Sequence, residues 1–71
     1  MSQWGAAKAR YVRAALIRIG WVVKRDGKGS HCILERVGFA DYTWGFHDGD
    51  EIGPKMLARI AKHTGLVPGD L

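Results

Sequence analysis

A chain of 71 residues with a net charge of +4 has room for one domain of two layers around a thin core, and a deep enclosed pocket for a small metabolite is excluded. Cys32 is the only cysteine, so no internal disulfide exists, and no apolar run is long enough to span a bilayer, which sets aside disulfide scaffolds and membrane proteins and leaves a reducing cytoplasm as the expected setting. The charge is uneven: residues 1–28 hold seven basic side chains against Asp26 alone, a net +6, whereas residues 29–71 are net −2, so a polyanion is drawn to the first part of the chain.

Val12, Ala15, Leu16 and Ile19 fall at i, i+3, i+4 and i+7, the buried face of a helix predicted over 3–19, and Arg10, Arg13 and Ile17 point away from that face. Gly20 follows the last apolar contact and closes the helix. Trp21, Val22 and Val23 start a strand that runs to about Arg25, and Asp26-Gly27-Lys28-Gly29 reads as a hairpin-type connection.

A second strand is predicted over 31–36, with Cys32 and Leu34 on one face and His31, Ile33 and Glu35 on the other. The buried face stays open at this point, because a one-residue bulge near Gly29 inverts it. A connection through Gly38 leads to a third, aromatic strand over 42–46, and then to the short acidic loop His47-Asp48-Gly49-Asp50-Glu51. Pro54 at the first helical position opens a second helix whose core face is Leu57, Ile60, Ala61 and Thr64 and which ends at Gly65; residues 67–71 read as a loose tail. The expected fold is α+β: a single α-β-β-β-α domain over 1–71, a three-stranded antiparallel sheet with both helices on one face and the other face open.

The strongest chemical signal is Gly29-Ser30-His31 following Lys24, Arg25 and Lys28. A histidine beside fixed positive charge exchanges a proton near neutral pH while its neighbours grip a phosphate, which is the minimum required to cleave RNA without a metal. His31 is therefore the candidate general base or acid, and Arg25 and Lys28 are the candidate phosphate ligands. Lys24 is a weaker ligand because it alternates away from Arg25 on a strand. His47 reads either as a secondary catalytic candidate or as a turn residue that orders the acidic loop. The spacing of His31, Cys32, His47 and His63 matches no zinc pattern, so neither metal nor cofactor is expected. Trp21 and Cys32 read as core, Trp44 as core or a stacking platform, and the stripe Lys55, Arg59, Lys62 as a solvated helix face.

Taken together, Gly20-Trp21-Val22-Val23 after a first helix, Arg25 before Gly29-Ser30-His31, His47 after the third strand, and Gly53 before a helix ending in Gly65-Leu66 resemble the HicA-type (YcfA-like) toxins, in order and spacing across nearly the whole chain. The resemblance implies a fold like the double-stranded-RNA-binding domain, metal-independent cleavage of single-stranded mRNA, and a HicB-type antitoxin that covers the site. It carries the catalytic histidine over to His31, the tight backbone turn to Gly29, and motif membership without a defined role to Ser30. The chain departs from the family at Trp44-Gly45-Phe46-His47, where valine and proline commonly precede the later histidine. Two rival readings use the same features: a non-catalytic RNA-binding module with the same basic patch, and a module whose open sheet face receives another protein.

Overall fold

Extended backbone precedes the first helix. In the computed structural model of the protein, which describes residues 3–29 and 31–71, Ala7–Lys8 forms a short strand, β1, paired antiparallel with Glu51–Ile52, β5. Helix α1 spans Ala9–Arg18, which corrects the helix read over 3–19. Alanines at 6, 7 and 9 suit a helix, but pairing with a distant strand holds Lys8 extended. No side chain caps α1. Its first N–H groups are satisfied by backbone instead: Ala9 donates to the Asp50 carbonyl at 2.8 Å and Arg10 to the Asp48 carbonyl at 3.2 Å.

The central sheet has the order β2-β3-β4, with β2 at Val22–Asp26, β3 at Cys32–Glu35 and β4 at Tyr42–Trp44, and both pairings are antiparallel. The bulge that decides the faces lies in β2, between Val23 and Arg25. Lys24 is the extra residue, so Arg25 stands opposite Ile33 while Val23 stands opposite Leu34. Cys32 and Leu34, with Trp44 across from Cys32, face the helices and are buried. Ile33, Thr43 and Arg25 share the open face.

Helix α2 spans Pro54–Thr64 with proline at its start and Gly65 at its end, as its sequence indicates. Both helices cover the same sheet face, since Val12, Ala15 and Leu16 from α1 and Leu57 and Ile60 from α2 join Leu34, Trp21 and Trp44 in one core cluster. The α+β architecture with α-β-β-β-α order is therefore present, with the β1–β5 ribbon added at one end. Trp21 is fully buried, and its indole Nε1 donates to the Thr64 carbonyl at 3.0 Å, which ties the end of α2 to the start of β2. The last residues form a 3-10 turn at Pro68–Asp70 rather than a loose tail, held where Arg18 donates to the Asp70 carbonyl at 2.6 Å and the Val67 N–H to the Asp70 carboxylate at 2.9 Å. Among the described residues no helix is long and apolar enough to cross a membrane.

Candidate functional site

The connection between β2 and β3 is a closed loop. Gly27 donates its N–H to the His31 carbonyl at 2.8 Å, and His31 donates its own N–H to the Lys28 carbonyl at 3.2 Å. Gly29 makes this closure feasible with φ +64°, in the left-handed region where a side chain is strained. Ser30 lies outside the described residues. The backbone of His31 is thus anchored at both its N–H and its carbonyl, and its imidazole stays exposed at the end of the sheet, one residue before Cys32 enters the core.

Two hollows share His31 in their walls. One, of about 350 Å³, lies on the open sheet face and is lined by His31, Arg25, Ile33 and Thr43. The other, of about 330 Å³, opens toward α1, where His31 is joined by Arg13, Phe46, His47 and Asp48, and Asp26 lines both hollows. Arg13 was not among the residues singled out from the sequence as phosphate ligands. Its only sequence signal is its place on the outward face of the first helix, and its approach to His31 depends on how α1 crosses the sheet.

The β4–β5 loop brings the second group of side chains into place. Asp50 closes a turn by accepting the His47 N–H on its carboxylate at 2.9 Å and donating its own N–H to the His47 carbonyl at 2.9 Å. The same loop supplies the carbonyls that cap α1, so His47 and Asp48 are carried to the helix that bears Arg13. Arg13 Nη1 lies 3.9 Å from Asp48 Oδ1, both side chains remaining largely accessible. His47 thus orders the turn through its backbone and lines the hollow shared with His31.

The remaining sequence-derived ligands divide. Arg25 stands beside His31, and Lys28 sits in the exposed turn just before it. Lys24 is not brought to His31: as the bulge residue it donates Nζ to the Asp41 carboxylate at 2.8 Å, a hydrogen-bonded ion pair that raises its pKa. Among the aromatics, Trp21 and Trp44 are buried, with Trp44 edge-on to Phe46 at 5.0 Å, so neither has a free face for a base. Tyr42 is half-buried against the His63 ring at 5.9 Å, and burial pushes its phenol pKa up. Cys32 is a buried free thiol. Among the described residues no three His, Cys, Asp or Glu side chains gather where they could hold a metal ion.

Gly45 is the backbone against which the imidazole rests. It follows Trp44, the partner of Cys32 across the β3–β4 ladder, and a Cβ at this position would come within 3.2 Å of His31 Nε2 and 3.3 Å of its Cδ2. Both distances are tighter than an ordinary van der Waals contact, and the ring is the part that can yield. For a reaction carried by the His31 imidazole, Gly45→Ala is expected to lower kcat by about tenfold with KM little changed, because the ring turns while the fold persists and displacement of a reacting group is costly. Steady-state kinetics beside a thermal melt checks this; an unchanged kcat would show that the ring position against Gly45 is irrelevant.

The small α+β domain thus presents an exposed histidine at the end of its sheet, with Arg25 lining the hollow on one side of it and Arg13 the hollow on the other. Compared with known families, residues 9–66 match the family described as the HicA toxin of bacterial toxin-antitoxin. The match runs from the start of α1 past the end of α2, and the chain belongs to the HicA toxin family. It is accordingly a toxin of the toxin–antitoxin type, with an antitoxin as its partner. No curated protein and no solved structure matches the chain.

Proposed function

We propose that this toxin is a metal-independent endoribonuclease that cleaves single-stranded mRNA in the cytoplasm and is held inactive by a HicB-type antitoxin covering His31. The observation that carries this reading is the exposed imidazole of His31 at the junction of two hollows, with Arg25 on one side and Arg13 on the other. RNA supplies its own nucleophile. The 2′-hydroxyl loses its proton and attacks the adjacent phosphorus, negative charge grows on the phosphoryl oxygens, and the 5′-oxygen leaves with a proton. His31 carries the proton at one of these oxygens. Arg25, Arg13 and Lys28 stabilise the charge that builds up on the phosphate, a task guanidinium suits because its paired N–H groups match two phosphoryl oxygens. His47, which lines the same hollow as His31, serves the other oxygen.

Such a reaction leaves a 2′,3′-cyclic phosphate on one fragment and a 5′-hydroxyl on the other. Incubating the free toxin with unstructured RNA in excess chelator is expected to yield fragments with these ends, read by gel electrophoresis and end-group mass spectrometry. Intact RNA retained in a salt-sensitive complex would identify a non-catalytic binder instead.

A further inference from the structure

Helix α1 bears a cationic hollow outside those lined by His31. Arg10, Arg13 and Arg18 stand around Ala14 and Ile17, and with Asp48 they enclose about 450 Å³ on the solvent side of the helix. Residues 10, 13, 14 and 17 stack on one helix face by their spacing, and the methyl of Ala14 leaves the gap between the long side chains. Three guanidiniums meet one carboxylate there. Arg13 faces Asp48 at 3.9 Å, Arg18 donates to a neutral carbonyl, that of Asp70, and Arg10 lies 5.0 Å from the ring centroid of the exposed Tyr11. Arg13 and Asp48 also line the hollow of His31 and His47, so the two hollows share a wall.

We propose that this α1 groove is the track for the phosphate backbone of the single-stranded RNA on one side of the linkage cut at His31. The inference rests on the endoribonuclease reading and adds where the rest of the substrate lies. Guanidinium rims suit phosphates, the apolar floor of Ala14 and the exposed Ile17 accepts sugar and base edges, and the exposed Tyr11 ring lies next to the Arg10 guanidinium on the rim. Continuity with the His31 hollow favours the nucleic acid over an acidic protein segment, because one chain that enters the reactive hollow must leave it across Arg13.

The test uses 2′-O-methyl RNA, which lacks the nucleophile and so remains intact, at a length of about 12 nucleotides, within the range of single-strand binding sites, and as a dinucleotide. Fluorescence anisotropy compares the parent toxin with Arg10→Ala, Ala14→Glu and Ala14→Lys; glutamate and lysine are both good helix formers, so the fold is retained. Expected results are about tenfold weaker binding of the longer RNA by Ala14→Glu, unchanged or tighter binding by Ala14→Lys, and little change for the dinucleotide. In Arg10→Ala the slope of log affinity against log salt falls by about 0.7, the value for one lost phosphate contact on a single strand. With cleavable RNA, Arg10→Ala and Ala14→Glu raise KM and leave kcat near the parent value. Parent-like affinity and salt slope in all three variants overturns the proposal, and so does an Ala14→Glu variant that loses an acidic peptide but not RNA, which marks a protein-docking surface. Failure of the endoribonuclease reading shows separately, as unmodified RNA left intact by the parent toxin.

Discussion

His31→Ala is expected to lower RNA cleavage by about 10²–10⁴-fold, the range over which a positioned acid–base group contributes to a rate. The fold should be untouched. The imidazole is exposed, and the hydrogen bonds that shape the Gly27–His31 loop use backbone groups that alanine retains. Removal of a surface side chain of this kind changes stability by about 0.5 kcal/mol or less. Cleavage of unstructured RNA, followed with a thermal melt of the same preparation, separates the two effects. A His31→Ala protein that cuts RNA at the parent rate would remove the histidine from the chemistry and leave the arginines as a binding surface. Growth arrest of a bacterial host on expression, absent with His31→Ala, is the corresponding result in cells.

The second large effect concerns the fold that holds the site. Trp21→Ala is expected to destabilise the domain by about 3–5 kcal/mol, the cost of deleting a buried indole and leaving its cavity. The Thr64 carbonyl also loses the N–H it accepts at 3.0 Å, and Phe39 loses the ring it meets edge-on at 5.4 Å. For a chain of 71 residues the whole stability is about 4–10 kcal/mol, so this one change removes much or all of it. Loss of the folded circular-dichroism signal at 37 °C checks the prediction. Trp21→Phe keeps most of the volume without the donor, and urea titration should place it about 1–2 kcal/mol below the parent. If Trp21→Ala unfolds within about 1 kcal/mol of the parent, the indole is not the tie between α2 and β2.

Helical periodicity made most of the core readable. Spacing alone marks Val12, Ala15, Leu16, Ile19, Leu57, Ile60, Ala61 and Thr64; Ile19 and Ala61 are half-buried against the core and the other six are buried. Local signals at the ends of α2, proline at one and glycine at the other, located that helix almost to the residue. Readings failed where the deciding partner lay far along the chain. Ala7 and Lys8 look helical until Glu51–Ile52 pairs with them. Trp44 stayed ambiguous because strand alternation does not say which face is covered, and Lys24 counted among the phosphate ligands until the bulge turned it to Asp41.

The candidate site divides along the same line. His31, its glycine turn and the cations Arg25 and Lys28 lie close together in sequence, so short-range chain geometry sufficed to put Arg25 in a hollow with His31 and Lys28 in the turn before it. Arg13, His47 and Gly45 reach that histidine only after α1 has crossed the sheet, the β4–β5 loop has capped α1, and β4 has paired with β3. By itself the sequence determined the α+β element order, the helix faces, the basic first half and the exposed histidine at its glycine turn as the candidate, because spacing, capping and charge are local properties. Only the tertiary structure decided which sheet face is covered, which arginine stands beside the imidazole and which lysine is taken up elsewhere, because those depend on strand register and helix packing between residues far apart in the chain.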